Sequence, residues 1–208
     1  MVERQLMSAT WGTGMAALVL LTSAAWACTG PGADHGKAND ASGAAADPAP
    51  VVLLLTKTAG FRHTSIEPGI EAVQNIATQA GWQLTPTEDA SLFNDATLRS
   101  YHAVMLLNTT GDILDVSQQQ ALQKFCEEGG GLIGVHAATD TEPDWPWYGA
   151  WLGARFASHP AIQQALIELE DTTHEATRDL PSPWGRADEW YNFSENPRAR
   201  PSPSSSPT

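Results

Sequence analysis

The 208-residue chain carries 11 Lys and Arg against 24 Asp and Glu, a formal charge of −13 at pH 7. A surface of that sign repels phosphate backbones and anionic lipid, which argues against nucleic acid or a charged membrane face as a partner. Charged residues make up only 17% and hydrophobic ones 42%, so acidity does not imply disorder, and the length suits one ordinary domain with extensions.

Residues 15–27 (MAALVLLTSAAWA) form an apolar, uncharged run. It is short for a bilayer span and fits the core of a signal peptide, expected over residues 1–27. Ala25 and Ala27 place small side chains where a signal peptidase needs them, although Glu3 offsets Arg4 in the leading segment. Cys28 follows directly, as in a lipoprotein box, except that Ala25 replaces the usual leucine and Trp26 is bulky. The expected location is therefore exported, periplasmic or at the cell surface, with a lipid on Cys28 as one form and a cleaved soluble chain as the other. A mis-assigned start codon is the alternative.

Of the 22 residues 29–50, 17 are Gly, Ala, Pro or Asp, and none is a large apolar side chain. Such a stretch cannot offset its ordering entropy by burial, so residues 28–50 read as a disordered tether. Residues 197–208 (PRARPSPSSSPT) hold four prolines and four serines and read as a disordered tail. A 146-residue domain over 51–196 remains, and a domain of that size buries roughly 70% of its unfolded surface.

Residues 51–56 (VVLLLT) are a continuous apolar run, as expected of a strand buried on both faces of a parallel sheet. Ile66, Ile70, Val73 and Ile76 or Ala77 recur at helical spacing, with Pro68 in the first turn and Gly81 as the stop. Residues 82–87 suit a second strand, 94–100 a short helix capped by Asn94 or Asp95, and 102–108 a third strand. Ser117 or Asp115 caps a helix with Ala121, Leu122, Phe125 and Cys126 on its apolar face, ending at Gly129 to Gly131. Residues 132–135 suit a fourth strand and 164–169 a weaker fifth. The alternation predicts an α/β, doubly wound, mostly parallel sheet of flavodoxin-like type. Ligands of such sheets bind beyond the carboxyl ends of the strands.

Three strand ends carry polar chemistry: Lys57, Thr58, Gly60, Arg62 and His63 after the first, Asn108 and Thr109 after the third, His136 and Asp140 after the fourth. Singly, such residues usually solvate loops; their coincidence at one sheet edge points to a binding site. Neither a phosphate loop nor a dinucleotide-binding glycine pattern is present. His136, framed by Gly134, Val135, Ala137 and Ala138, occupies a strand-to-helix turn resembling a nucleophile elbow. Imidazole suits a general base or a metal ligand there, and a structural histidine bonded to backbone is the alternative. Cys126 lies on an apolar helix face and reads as an inert thiol, leaving no disulfide framework.

Trp145, Trp147, Tyr148 and Trp151 follow Asp140, Glu142 and Asp144, and five of eight tryptophans fall between Trp145 and Trp190. Indole faces stack on sugar C–H surfaces while carboxylates accept sugar hydroxyls; core packing is the competing reading for each ring. His63, His136, His159 and His174 have no metal-site spacing, so a divalent ion with Asp140 or Glu142 depends on the fold and the cofactor stays open.

The segments TKTAGFRHTSI (56–66), GGGLIGVHAATD (129–140) and WYGAWLGARFASHP (147–160) resemble the ThuA-like, trehalose-utilisation family. HEATRDLP (174–181) and WGRADEWYNF (184–193) extend the likeness to about residue 196. The resemblance implies a class I glutamine amidotransferase-like sandwich that is not an amidotransferase, since His136 stands where the nucleophile would be. It also implies a bacterial, often exported protein of carbohydrate utilisation. Glu175 replaces a usual proline. Family members continue past Asn196 with further strands, so the expected domain is C-terminally incomplete; a frameshift near Ala199 would explain the change of composition, and sequencing the coding DNA checks it.

Two functions follow. One is a sugar-directed or keto-sugar-directed hydrolase or isomerase, with His136 as base or metal ligand, His63 its partner and Asp140 an orienting carboxylate or acid. Its candidate substrate contacts are Lys57, Thr58, Arg62, Asn108, Thr109, Trp145, Trp147, His159 and Glu189. The other is a non-catalytic, surface-tethered sugar-binding module using the tryptophans. A small sugar is the expected partner in both, with the membrane approached only through an N-terminal lipid; the oligomeric state is open.

Overall fold

The computed structural model describes residues 48–197. The expected signal peptide, Cys28, nearly all of the tether and all of the tail but Pro197 lie outside the described residues.

Four strands, β1 (Val51–Leu55), β2 (Gln83–Thr87), β3 (Ala103–Leu107) and β4 (Gly131–Val135), form one sheet in the order β2-β1-β3-β4. All three pairings are parallel, with Leu53 level with Thr85 and Val104, and Met105 level with Ile133. The apolar run of β1 is buried from Val52 to Leu55, because both faces of the strand are covered. Leu53, Leu55, Val104 and Leu106 meet Phe93, Leu98, Leu122, Phe125 and Tyr148 in one core. On the other face α1 (Ile66–Ala80) approaches closely, and a Cβ on Gly69 would stand 3.0 Å from Leu107.

Helix ends follow local chemistry. Gly81 closes α1 in the left-handed region (φ 75°), its N–H donating to the Ala77 carbonyl. Asn94 caps α2 (Asp95–Leu98) by accepting from the Thr97 N–H. Asp115 and Gln118 form a reciprocal capping box on α3 (Val116–Glu127). Residues 146–152, expected only as an aromatic stretch, form α4 (Pro146–Leu152), with Pro146 in the first turn and Gly153 at its end. Short 3-10 turns occupy Ala90–Leu92 and His136–Asp140. None of the described helices is long and apolar enough to cross a membrane.

The parallel α/β architecture matches the expectation, with one correction. The expected fifth strand exists as β6 (Gln163–Ile167) but pairs with β7 (Trp184–Asp188) in a separate two-stranded sheet rather than extending the parallel one. Its alternating exposure, with Leu166 largely in solvent, is that of a strand covered on one face only. The segment Ala165–Arg186 forms a compact unit distinct from the one containing the parallel sheet. Finally, β5 (Phe156–Ser158) and β8 (Asn192–Phe193) pair antiparallel, Phe156 opposite Phe193, in the unit of the parallel sheet.

Candidate active site

The chain leaves β1 toward β2 on one side and returns to β3 on the other. That reversal opens a crevice at the carboxyl ends of β1 and β3, the usual ligand position in doubly wound sheets. The loops beyond these strands are stitched by backbone pairing, Thr58 with Thr110 and Gly111 with Thr141. Ala59 donates its N–H to the Thr110 carbonyl at 2.8 Å, and Gly111 donates to the Asp140 carbonyl at 2.8 Å. The Thr110 hydroxyl donates to the Phe61 carbonyl at 2.8 Å. A Cβ on Gly111 would stand 3.0 Å from the Gly60 nitrogen, so glycine permits the approach as well as the left-handed turn.

His136 leaves β4 with φ 51°. A non-glycine residue in the left-handed region costs about 1–3 kcal/mol and persists where its surroundings fix it. Here Ala137 and Ala138 are buried behind it, and the Tyr148 hydroxyl donates to the Ala138 carbonyl at 2.7 Å. The turn thereby aims the imidazole at the crevice side, where its ring meets His63 (centroids 4.8 Å) and Tyr191 (4.3 Å). Its Nε2 lies 3.4 Å from Glu189 Oε2. That oxygen is buried and accepts no hydrogen bond.

These residues back a cavity of about 250 Å³ lined by Phe61, His63, Thr110, Asp140, Phe156, His159, Glu189 and Tyr191. His136 is not in its wall; it stands against three residues that are. Partial burial, then the neighbouring His136, holds His63 below the usual histidine range. Burial lifts the Asp140 carboxyl above its usual range, partly countered by His63. The Tyr191 hydroxyl is pushed up to about 12 by burial and by the Glu189, Asp140 and Asp188 carboxylates. A neutral imidazole, a carboxyl of raised pKa and aromatic walls can exchange protons with a small polyhydroxylated ligand. A larger cavity of about 460 Å³, lined by Pro143, Asp144, Pro146, Gly149, Ala150, Ala154, Arg155, Ser194 and Glu195, contains none of the strand-end residues. Its size does not outweigh the convergence of titratable groups in the smaller one.

The structure brings His63, His136, Asp140, His159 and Glu189 together. Other candidate contacts stand elsewhere. Lys57 donates to the Ile113 carbonyl at 2.8 Å, and Arg62 pairs with Glu67 and Glu88 at the surface. Asn108 (φ 52°) donates to the Ser65 hydroxyl, while its buried Oδ1 accepts nothing. Thr109 is fully buried and shares a hydrogen bond with Thr141. Thr58 pairs along the backbone with Thr110. Trp145 and Trp147 stack on one another at 4.9 Å and pack against the core. Glu142, weighed as a metal ligand, is buried and accepts hydrogen bonds from the Ile113 and Leu114 N–H groups and from Gln119. His174 is not in the cluster. Phe156 escapes sequence reasoning because it sits on a three-residue strand with no periodicity; Tyr191, beside a two-residue strand, is visible in the sequence only as the end of the aromatic stretch.

The profile of the trehalose-utilisation family, ThuA, matches residues 51–203. Among solved structures, a ThuA-like protein from Bacteroides uniformis ATCC 8492 is 27% identical with a TM-score of 0.63, over 75% of this chain and 66% of that one. A ThuA-like protein from Parabacteroides merdae ATCC 43184 is 17% identical with a TM-score of 0.58, over 69% of this chain and 63% of that one. The chain thus spans slightly less than two thirds of both solved proteins. No curated protein matches it.

Proposed function

The chain belongs to the ThuA family of trehalose utilisation, and from that membership we propose that it is an enzyme acting on trehalose or a related sugar or keto-sugar, by hydrolysis or isomerisation. The observation that carries this reading is the convergence of His63, Asp140 and Glu189 on one small, aromatic-walled cavity at the sheet's reversal point, with His136 standing directly behind His63 and Glu189. His63 and Asp140 face the ligand. The imidazole is held neutral and the carboxyl is raised toward protonation, the pairing needed to take a proton at one oxygen and give one at another. His136 backs His63, and the Tyr191 and Phe156 rings, 4.4 Å apart, offer apolar faces to sugar C–H groups.

The test is a turnover screen of the purified full chain against trehalose and its keto derivatives, with products separated by chromatography. General acid–base groups are worth about 10²–10⁴-fold, so His63→Ala and His136→Ala are expected to lose at least 10²-fold. Variants that turn over as fast as the parent overturn the assignment. The binding-module reading is weaker, because Trp145 and Trp147 are engaged with each other and with the core.

The run at 15–27 followed by Cys28 supports export with a lipid on that cysteine. Mass spectrometry of the cell-purified protein is expected to find a chain beginning at an acylated Cys28; an intact Met1 terminus in the cytoplasm overturns it.

A further inference from the structure

Two imidazoles and one carboxylate, from the loop after β1, the end of β4 and the residue after β7, place one donor atom each within 4.8 Å of the others. His136 Nε2 and Glu189 Oε2 are 3.4 Å apart. A charge-assisted hydrogen bond would be shorter, about 2.7–2.9 Å. Two ligands of one tetrahedral ion bonded at ~2.1 Å stand roughly 3.4 Å apart. Glu189 Oε2 is also buried with no hydrogen-bond donor, a costly condition that a cation resolves.

We infer that His63, His136 and Glu189 form a binding site for one divalent transition-metal ion, its open positions facing the cavity wall that carries Asp140. Two histidines and one carboxylate are a ligand set for Zn²⁺, Mn²⁺ or Fe²⁺, and three protein ligands leave room for a ligand oxygen, as catalytic sites require. The trio is slightly wide for an ion and closes by side-chain rotation, since His63 and Glu189 border open space. The strained backbone at His136 (φ 51°) fixes one ligand on a rigid turn, and the pairing of Thr58 with Thr110 anchors the loop that delivers His63. This deepens the enzyme reading and rests on it only for what occupies the open positions: a sugar hydroxyl or keto oxygen. In the metal-loaded site His63 is a ligand in place of the proton acceptor proposed above, and Asp140 is the group left at the wall to move protons.

The test strips the full chain with a chelator and titrates it separately with Zn²⁺ and Mn²⁺ by calorimetry. One site per chain is expected for at least one ion. Partners that merely orient metal ligands are worth about 10–100-fold in affinity, so loss of a ligand in His63→Ala or Glu189→Gln is expected to weaken binding at least that much. His174→Ala, outside the cluster, is expected to bind as the parent does. Saturating metal is expected to raise the parent Tm by several degrees and to leave Glu189→Gln unmoved; this near-isosteric variant serves if His63→Ala fails to fold. No binding tighter than about 1 mM in the parent, or equal affinity in Glu189→Gln, overturns the site. Metal binding without sugar turnover supports the site and removes the substrate reading. Turnover that survives stripping in a chain that binds no ion overturns the site and leaves the substrate reading standing.

Discussion

Glu142 reaches Gln119 of α3 across the chain, accepting a hydrogen bond from the side-chain amide at 2.6 Å. The other oxygen of the same carboxylate takes the backbone N–H groups of Ile113 and Leu114 at 2.9 and 2.8 Å. One buried side chain thus fixes the segment that enters α3, while the backbone N–H of the same residue, donating to the Gly111 carbonyl, holds the loop beside the cavity. Glu142→Ala leaves two buried donors unsatisfied and a void behind them, a loss expected to be about 2–5 kcal/mol in denaturant unfolding.

The pH dependence of that residue has a definite sign. Burial raises the Glu142 carboxyl above its ordinary range, against the pull of its hydrogen-bond donors. A carboxyl raised in the folded state contributes fully below its unfolded value, about 4.3, and loses that contribution as pH climbs through the folded one. Comparing parent with Glu142→Gln between pH 4 and pH 8, the parent's relative stability is expected to fall as pH rises. A parent that gains on the glutamine variant toward pH 8 contradicts the burial argument.

Gly111 combines φ 74° with a backbone neighbour 3.0 Å from any Cβ. Gly111→Ala is expected to cost about 1–3 kcal/mol in chemical denaturation, and to reduce ligand binding because it separates the loops after β1 and β3. Gly81, also in the left-handed region but with open space around it, provides the comparison: Gly81→Ala carries the strain without the loop separation, so ligand affinity is expected to stay at the parent level.

The Cys126 thiol is buried on α3 and pushed up to about 12, chiefly by burial. At pH 8 a thiol reagent is expected to leave this cysteine unmodified in the native protein and to label it promptly after unfolding. Rapid native labelling would show that α3 opens far more readily than its packing implies.

Arg62 separates the surface from the site. Its guanidinium is held by Glu67 and Glu88 at 2.8 and 2.7 Å, one residue from His63 but engaged elsewhere. Arg62→Ala is expected to change sugar turnover less than threefold, where His63→Ala loses at least about 10²-fold. An equal loss in both would return Arg62 to the ligand contacts.

The parallel sheet was legible because β1, β3 and β4 are apolar runs separated by helices with recognisable caps, Gly81 and the Asp115–Gln118 box above all. The strand-end rule then located His63, His136 and Asp140. What stayed hidden depends on distant partners. β6 has the composition of a strand, but nothing local states that it pairs with β7 rather than with the parallel sheet. The tryptophans of α4 show indoles suited to a sugar, while their engagement with one another arises from helical spacing plus the core they cover. Tyr191 and Phe156 meet only because two very short strands pair antiparallel, a contact between residues 35 apart in the chain.

The pairing of Thr58 with Thr110 and of Gly111 with Thr141 carries a further consequence. The crevice loops are bound by backbone bonds whose registry depends on residue count, so inserting or deleting even one residue would break the chain of pairings. A change of ligand preference in this chain is therefore expected from side-chain exchanges at fixed backbone positions, with the lengths of these loops kept.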